Sequence, residues 1–209
     1  MTEVAVTRLT AKGHATRERI VAAAATLMFE RGVAGTSTDE VQARAGVSAS
    51  QLYHYFADKR ALVAAVIAWQ TEAVVGGQEP LFAALDSLEA LGQWRDLIVA
   101  LQVDRRCAGG CPLATLAGEL AEADPEARAA LRAGFHRWSA GIAGGLHRMR
   151  ERGELRAEAD PDRLAIAVLA ALQGGLLLAQ VERSTAPLEI ALDTVLDHLA
   201  SYRRPASGS

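Results

Sequence analysis

The chain has 209 residues, 50% of them apolar and 22% charged, which excludes a disordered segment and leaves room for a small domain joined to a larger one. Its net charge of −3 is unevenly placed: residues 1–60 carry eight Lys/Arg against six Asp/Glu, and the remainder 14 against 19. A mildly basic head on an acidic body suits a protein that touches a polyanion at one end only.

Alanine and leucine dominate, and no segment alternates apolar and polar residues between turn signals, so the predicted fold class is all-α. Residues 1–14 lack periodicity and read as a flexible arm. A first helix spans Ala15 to Arg31, with Ile20, Ala23, Ala24, Leu27 and Met28 at helical spacing and Gly32 just past its end. Ser37 and Glu40 form a capping box that opens a second helix, closed by Gly46 after Ala45. Ser48 and Gln51 repeat the box, so a third helix starts at once and runs to about Phe56. Asp58 caps a fourth, which reaches Val75 before Gly76-Gly77.

Pro80 to Arg106 reads as a fifth helix with room for a break. A sixth follows Pro112 and ends near Ala123. Asp124-Pro125 starts a seventh, ending at Gly153, and Asp160-Pro161 an eighth, ending at Arg183; proline is well placed in a first helical turn. Pro187 opens a ninth, to about Tyr202, and residues 205–209 read as a disordered tail. The expected domains are therefore a small helical domain over 15–58 and a larger helical domain over 59–204, between the arm and the tail.

Two short helices, each with its own cap, joined by Gly46-Val47-Ser48, form the helix-turn-helix. In such a motif the second helix enters the major groove, its N-terminal residues at base edges. Ala49, Ser50 and Gln51 occupy those positions. Tyr53, His54 and Tyr55 carry groups that reach phosphates, and Lys59 sits at a helix start that favours one. Thr38, opening the second helix, joins the candidate DNA contacts. Two alternatives stand beside this reading. The aromatic residues also suit a packed cluster, to which Phe56 belongs, and Gln51 is lost to adenine if its side chain caps Ser48.

The stretch TRERIVAAAATLMFERGVAGTSTDEVQARAGVSASQLYHYFADKRALVAAVI, Thr16 to Ile67, resembles the N-terminal domain of the TetR family of bacterial regulators. The resemblance includes the Gly-Val-Ser turn, Leu52-Tyr53, Phe56 and Lys59. It implies a homodimeric DNA-binding regulator, usually a repressor, whose C-terminal domain binds a small effector. The chain departs from many relatives at Ala49, where they carry Lys or Arg. GGCPLATLAGELA, Gly109 to Ala121, resembles the effector domain of a drug- and flavonoid-responsive branch of that family.

In the helical domain Leu131, Phe135, Trp138, Ile142 and Met149 form a stripe on the seventh helix. Trp69, Leu101, Leu116, Leu120, Phe135, Trp138 and Gln173 are the candidate effector contacts, apolar and aromatic with one polar anchor. Gln173 fits equally a dimer seam or a bond to neighbouring backbone. The segment Leu164 to Val181 borders on membrane-span length, but Gln173, Gln180 and Gly174-Gly175 interrupt it, and it reads as a helix covered on two sides, one by a second subunit. Leu169, Leu176, Leu188, Leu192, Val195 and Leu199 are its expected dimer contacts.

Cys107 and Cys111 read as buried thiols of a cytoplasmic protein; no metal or other cofactor is expected. No nucleophile triad, phosphate-cradling loop or carboxylate pair points to an enzyme. The expected partners are an operator duplex, a small effector and a second copy of the chain. The alternative is an all-α small-molecule-binding protein or enzyme without an operator.

Overall fold

The computed structural model describes residues 9–204. Helix α1 (Ala11–Arg31) starts four residues before the periodic pattern, because the Thr10 hydroxyl accepts the Gly13 N–H at 3.2 Å. Of the expected arm, residues 11–14 are therefore helix, and residues 1–8 lie outside the described residues, as does the expected tail at 205–209.

Helices α2 (Thr38–Ala45) and α3 (Ala49–Tyr55) begin at the two capping boxes. Ser37 Oγ accepts the Glu40 N–H at 3.2 Å, and the Glu40 carboxylate accepts the Ser37 N–H at 2.9 Å. Gly46 closes α2 at φ 64°, a left-handed geometry that glycine adopts without a Cβ penalty. Phe56 is extended and buried, so α3 stops at Tyr55. Asp58 Oδ1 accepts the Ala61 N–H at 2.8 Å and opens α4 (Lys59–Val74). Ile20 and Met28 of α1, Val41 of α2, Leu52 of α3 and Leu62 and Val66 of α4 are all buried. Around that core, Arg31 pairs with Glu40 at 2.7 Å, and Arg19 Nε donates to the last α2 carbonyl, Ala45, at 3.2 Å.

A 3-10 turn (Gly76–Gln78) leads to α5 (Glu79–Ala84) and α6 (Leu88–Asp104). The break for which the stretch 80–106 left room is thus present, and ten α-helices stand among the described residues where about nine were expected. The break follows from Ser87, whose hydroxyl accepts the Ala90 N–H at 3.1 Å and caps α6. Helices α7 (Pro112–Leu120), α8 (Pro125–Glu151), α9 (Pro161–Glu182) and α10 (Ala186–Ala200) complete the chain. Asp124 and Asp160 cap α8 and α9 through their carboxylates.

Helix α9 packs against α8 on one side and α10 on another; α6 also meets α10, and α5 and α7 flank α8. The α9–α10 approach depends on Gly175: a Cβ there would stand 2.8 Å from the Leu188 Cα. After α10 the chain returns to the α8–α9 connection, with an isolated bridge between Leu155 and Arg203. The chain divides into two compact units, one ending at Gln70 and the other beginning at Thr71, and α4 is continuous through that division.

Candidate DNA-reading head and effector cavity

In the N-terminal unit, Leu52 is fully buried and fixes α3 by one face. That leaves Ala49, Ser50, Gln51, Tyr53 and His54 exposed, while Thr38, Tyr55 and Lys59 are half-buried. Tyr53 is 50% exposed, its ring and hydroxyl open to a partner on the outward side of α3. His54 and Tyr55 meet edge to face, ring centroids 5.0 Å apart. Phe56 is core, and the Arg17 guanidinium lies 5.2 Å over its ring. Arg17 and Arg19 thus support the head, roles that no local spacing in the sequence marks.

Two candidate contacts carry internal bonds. Gln51 Oε1 accepts the Ser48 N–H at 3.0 Å, so bidentate reading of adenine requires that bond to open. Lys59 Nζ donates to the Val33 carbonyl at 2.7 Å, which leaves two of its three ammonium protons for other acceptors.

The C-terminal unit holds a cavity of about 290 Å³. Its walls come from the last turn of α4 (Ala73, Val74), the turn before α5 (Gly77, Gln78), Leu81 of α5, and Leu97, Ile98, Leu101, Gln102 and Arg105 at the end of α6. Gly110 and Cys111 before α7, Pro112 at the start of α7, Trp138 of α8 and Leu172 and Leu176 of α9 close it. Leu81, Leu97 and Leu101 are 37–41% exposed, large apolar residues gathered at one opening. Of the candidate effector contacts the cavity collects Leu101 and Trp138. Trp69 is exposed one turn before Ala73; Leu116 is buried, Leu120, Phe135 and Gln173 half-buried, and none of these lines it. Leu97, Leu101 and Arg105 recur at i, i+4, i+8, a signal that was present in the sequence.

Three buried side-chain polar atoms of the described residues, one in a lining residue and two outside the lining, lack hydrogen-bond partners. Trp138 is 2% exposed and its indole N–H has no acceptor; the amide N and O of Gln173 are also buried and unpartnered. Each such group costs about 1–3 kcal/mol when nothing satisfies it. Both cysteines are buried and unbridged, and burial pushes the Cys111 thiol up, with the Ala114 and Leu113 N–H groups and nearby Gln173 acting against it.

Residues 20–66 match the family model for bacterial regulatory proteins of the tetR family, and residues 85–195 that for the tetracyclin repressor-like C-terminal domain. An uncharacterized HTH-type transcriptional regulator of Mycobacterium tuberculosis is 31% identical over 189 residues, covering 83% of this chain and 89% of its own. The chain belongs to the TetR family. The transcriptional repressor NemR of Escherichia coli is 29% identical over 195 residues, 90% of this chain and 96% of that one. Among solved structures, a TetR transcriptional regulator from Chloroflexus aurantiacus superposes with a TM-score of 0.77 at 29% identity, over 94% of this chain and all of that one. A TetR-family chain of this kind is a DNA-binding transcriptional regulator and not an enzyme, and its all-α architecture is that of its relatives. TetR-family regulators bind operators and typically act as dimers with small effectors.

The leucines expected at a TetR-type dimer seam stand elsewhere. Leu169, Leu176, Leu188, Leu192, Val195 and Leu199 are all buried within the single chain, because α9 and α10 turn these faces toward each other and the core. The faces left outward carry Ile166, Leu177, Leu178 and Val181 of α9 and Ile190 of α10, each more than half exposed. Ile166, Ala170, Gly174, Leu177 and Val181 follow one another at three- and four-residue steps and are all exposed, giving an uncharged stripe along α9. By length and composition α9 could cross a membrane, yet nearly half of its most apolar window is buried against the rest of the chain.

Proposed function

We propose that this chain is a homodimeric repressor released from its operator by a small apolar effector held in the C-terminal cavity. The observation that carries the reading is the placement of α4. Ala73 and Val74, in its last turn, line the cavity, while Lys59, its first residue, is bonded to Val33 in the reading head. The same helix therefore has an end in each functional part. The last turn is further held to α8 by Arg137, which pairs with Glu72 at 2.8 Å and Glu79 at 2.5 Å. A ligand that shifts this turn changes the spacing of the two α3 helices of a dimer, which must match successive major grooves about 34–36 Å apart.

Repression as the sign of regulation is supported by the relatives named as repressors, NemR and, from a Mycobacterium species, DhaR. Operator DNA places the protein in the cytoplasm. The outward stripe of α9 with Ile190 supplies the apolar surface for the second copy. In this reading Ala49, Ser50 and Gln51 of α3 meet base edges, Tyr53, His54, Tyr55 and Lys59 meet phosphates, and Thr38 of α2 joins them as a DNA contact.

The test is footprinting on fragments of the source genome, repeated across a salt series and then with a library of aromatic compounds. Protection of a palindromic site with a steep salt dependence, relieved by a compound that also binds without DNA, supports the proposal. Protection that no compound relieves leaves a DNA-binding regulator without this mode of release.

A further inference from the structure

We propose that the concavity between the end of α6 and the α9–α10 turn is an oxyanion site, taking phosphate or the phosphoryl group of a phosphomonoester on the guanidiniums of Arg105, Arg106 and Arg183. The inference is independent of the effector reading: this concavity shares only Arg105 with the cavity described above.

The concavity is about 720 Å³ and open to solvent; its lining holds these three arginines, the hydroxyls of Ser184 and Thr185, and no carboxylate. Residues 61–209 carry 14 Lys/Arg against 19 Asp/Glu, so this gathering of one sign runs against the charge around it. Elsewhere in the C-terminal unit Arg95, Arg137 and Arg152 pair with carboxylates. Among the described residues Arg105 and Arg106 have no side-chain partner, and Arg183 has only the Cys107 carbonyl, at 3.3 Å. One cation at each helix end is enough to offset exposed carbonyls. Arg105 and Arg183 occupy the ends of α6 and α9, so Arg106 is surplus to that role.

Arg106 (φ 51°), Cys107 (φ 53°) and Arg183 (φ 53°) are the non-glycine residues with positive φ among the described residues, and all three line this concavity. Left-handed backbone strains a residue that carries a Cβ, and such strain persists where function holds it. Glycine would cost less at 106 and 183, yet both positions carry long cations. A guanidinium fork matches phosphate oxygens two at a time. A carboxylate, with one charge and two oxygens, leaves the concavity with excess positive charge; a phosphoryl dianion comes nearer to balance. Thr185 makes no side-chain cap at the start of α10, so its hydroxyl can donate to a remaining oxygen. The opening to solvent leaves room for the body of a monoester.

The experiment is calorimetric titration of the full-length protein with inorganic phosphate, phenyl phosphate and acetate, at about pH 8, where both phosphates are largely dianionic. Ionic strength is held fixed, so general screening does not separate the probes. One phosphate or phenyl phosphate per chain should bind with a Kd below about 1 mM, and acetate about tenfold more weakly or worse. Tighter phenyl phosphate assigns the site to a monoester, and phosphate as tight or tighter assigns it to the free ion; either result supports the proposal. Arg106→Gly should lose about tenfold or more in phosphate affinity yet melt no lower than wild type, since its backbone angle suits glycine. Arg183→Gln should lose as much affinity, and Arg132→Gln, at an exposed position of α8 outside the concavity, none. If Arg106→Gly melts low, Arg183→Gln decides on its own. No saturable binding of either phosphate overturns the proposal, and so does acetate binding as tightly, or full phosphate affinity in Arg183→Gln. Weaker operator binding with a flatter salt slope in the variants, without phosphate binding by the wild type, overturns it in favour of a duplex contact. Loss of operator protection or of its relief by compounds bears on the repressor reading alone.

Discussion

Lys59 gives one ammonium proton to the main-chain carbonyl of Val33 at 2.7 Å, tying the first residue of α4 to the turn that follows α1. The residue that begins the connecting helix is thus also a strut of the reading head. Lys59→Ala should weaken duplex binding nearly uniformly across sequences and flatten the salt slope by about one unit. It should also lower stability by about 1.5–3 kcal/mol, as a hydrogen bond from a charged donor is lost. Tyr55→Phe should weaken binding without that stability change. Binding across a salt series, paired with denaturant melts, checks both; a stability loss with an unchanged salt slope would confine Lys59 to the structural role.

Gln51 meets a similar conflict. Its side chain completes the capping box with Ser48, so Gln51→Ala should cost about 1 kcal/mol of stability. If the cap opens on DNA, the same variant should also relax preference at one base pair by about 1–3 kcal/mol. Operator variants scanned one position at a time, against wild type and Gln51→Ala, separate a cap from a cap that also reads sequence.

The two faces of α9 and α10 predict opposite behaviour. Leu177→Glu or Val181→Glu, on the outward stripe, should yield a folded monomer in sedimentation and lose operator affinity, since each half-site alone binds weakly. Leu192→Ala, at a fully buried position, should instead lower stability by about 2–5 kcal/mol. A dimer that survives both stripe variants would move the interface off α9.

The clamp between α4 and α8 has a pH signature. The hydrogen bond and charge of Arg137 hold the Glu72 carboxyl below its ordinary range. Its folded value lies below its unfolded value, so the stability it adds is complete above the ordinary carboxylate range and is lost as pH falls through the lowered value. Glu72→Gln should therefore melt below wild type at pH 7, and the gap should close in strong acid. The gap will be small, because Glu72 is largely exposed and screened.

Much of this molecule is legible in its sequence where chemistry is local. Ser37, Ser48, Asp58, Asp124 and Asp160 each announce a helix start, and each caps one. The head is legible for the same reason: two boxes and a glycine turn fix α2 and α3 without reference to distant residues. The break at Ser87 is harder, because Leu85 keeps the apolar rhythm through it and is itself buried. The dimer face is harder again. Helix α9 is apolar around its circumference, so periodicity gives no phase, and only α8 and α10 decide that Leu169 and Leu176 turn inward while Leu177 and Val181 turn out. The cavity follows the same rule. Its walls come from six separate helices and the turns between them, and the unpaired N–H of Trp138 is a property of its surroundings.

The most direct test of ligand-released repression is reciprocity. A ligand releases DNA only by binding the DNA-incompetent conformation better, so operator and ligand must weaken each other by one common factor. The measurement is operator affinity with and without the first compound that relieves protection, and that compound's affinity with and without operator, on the same dimer. The account predicts the same reduction in both directions, about 5–150-fold. Ligand affinity unchanged by saturating operator would contradict it.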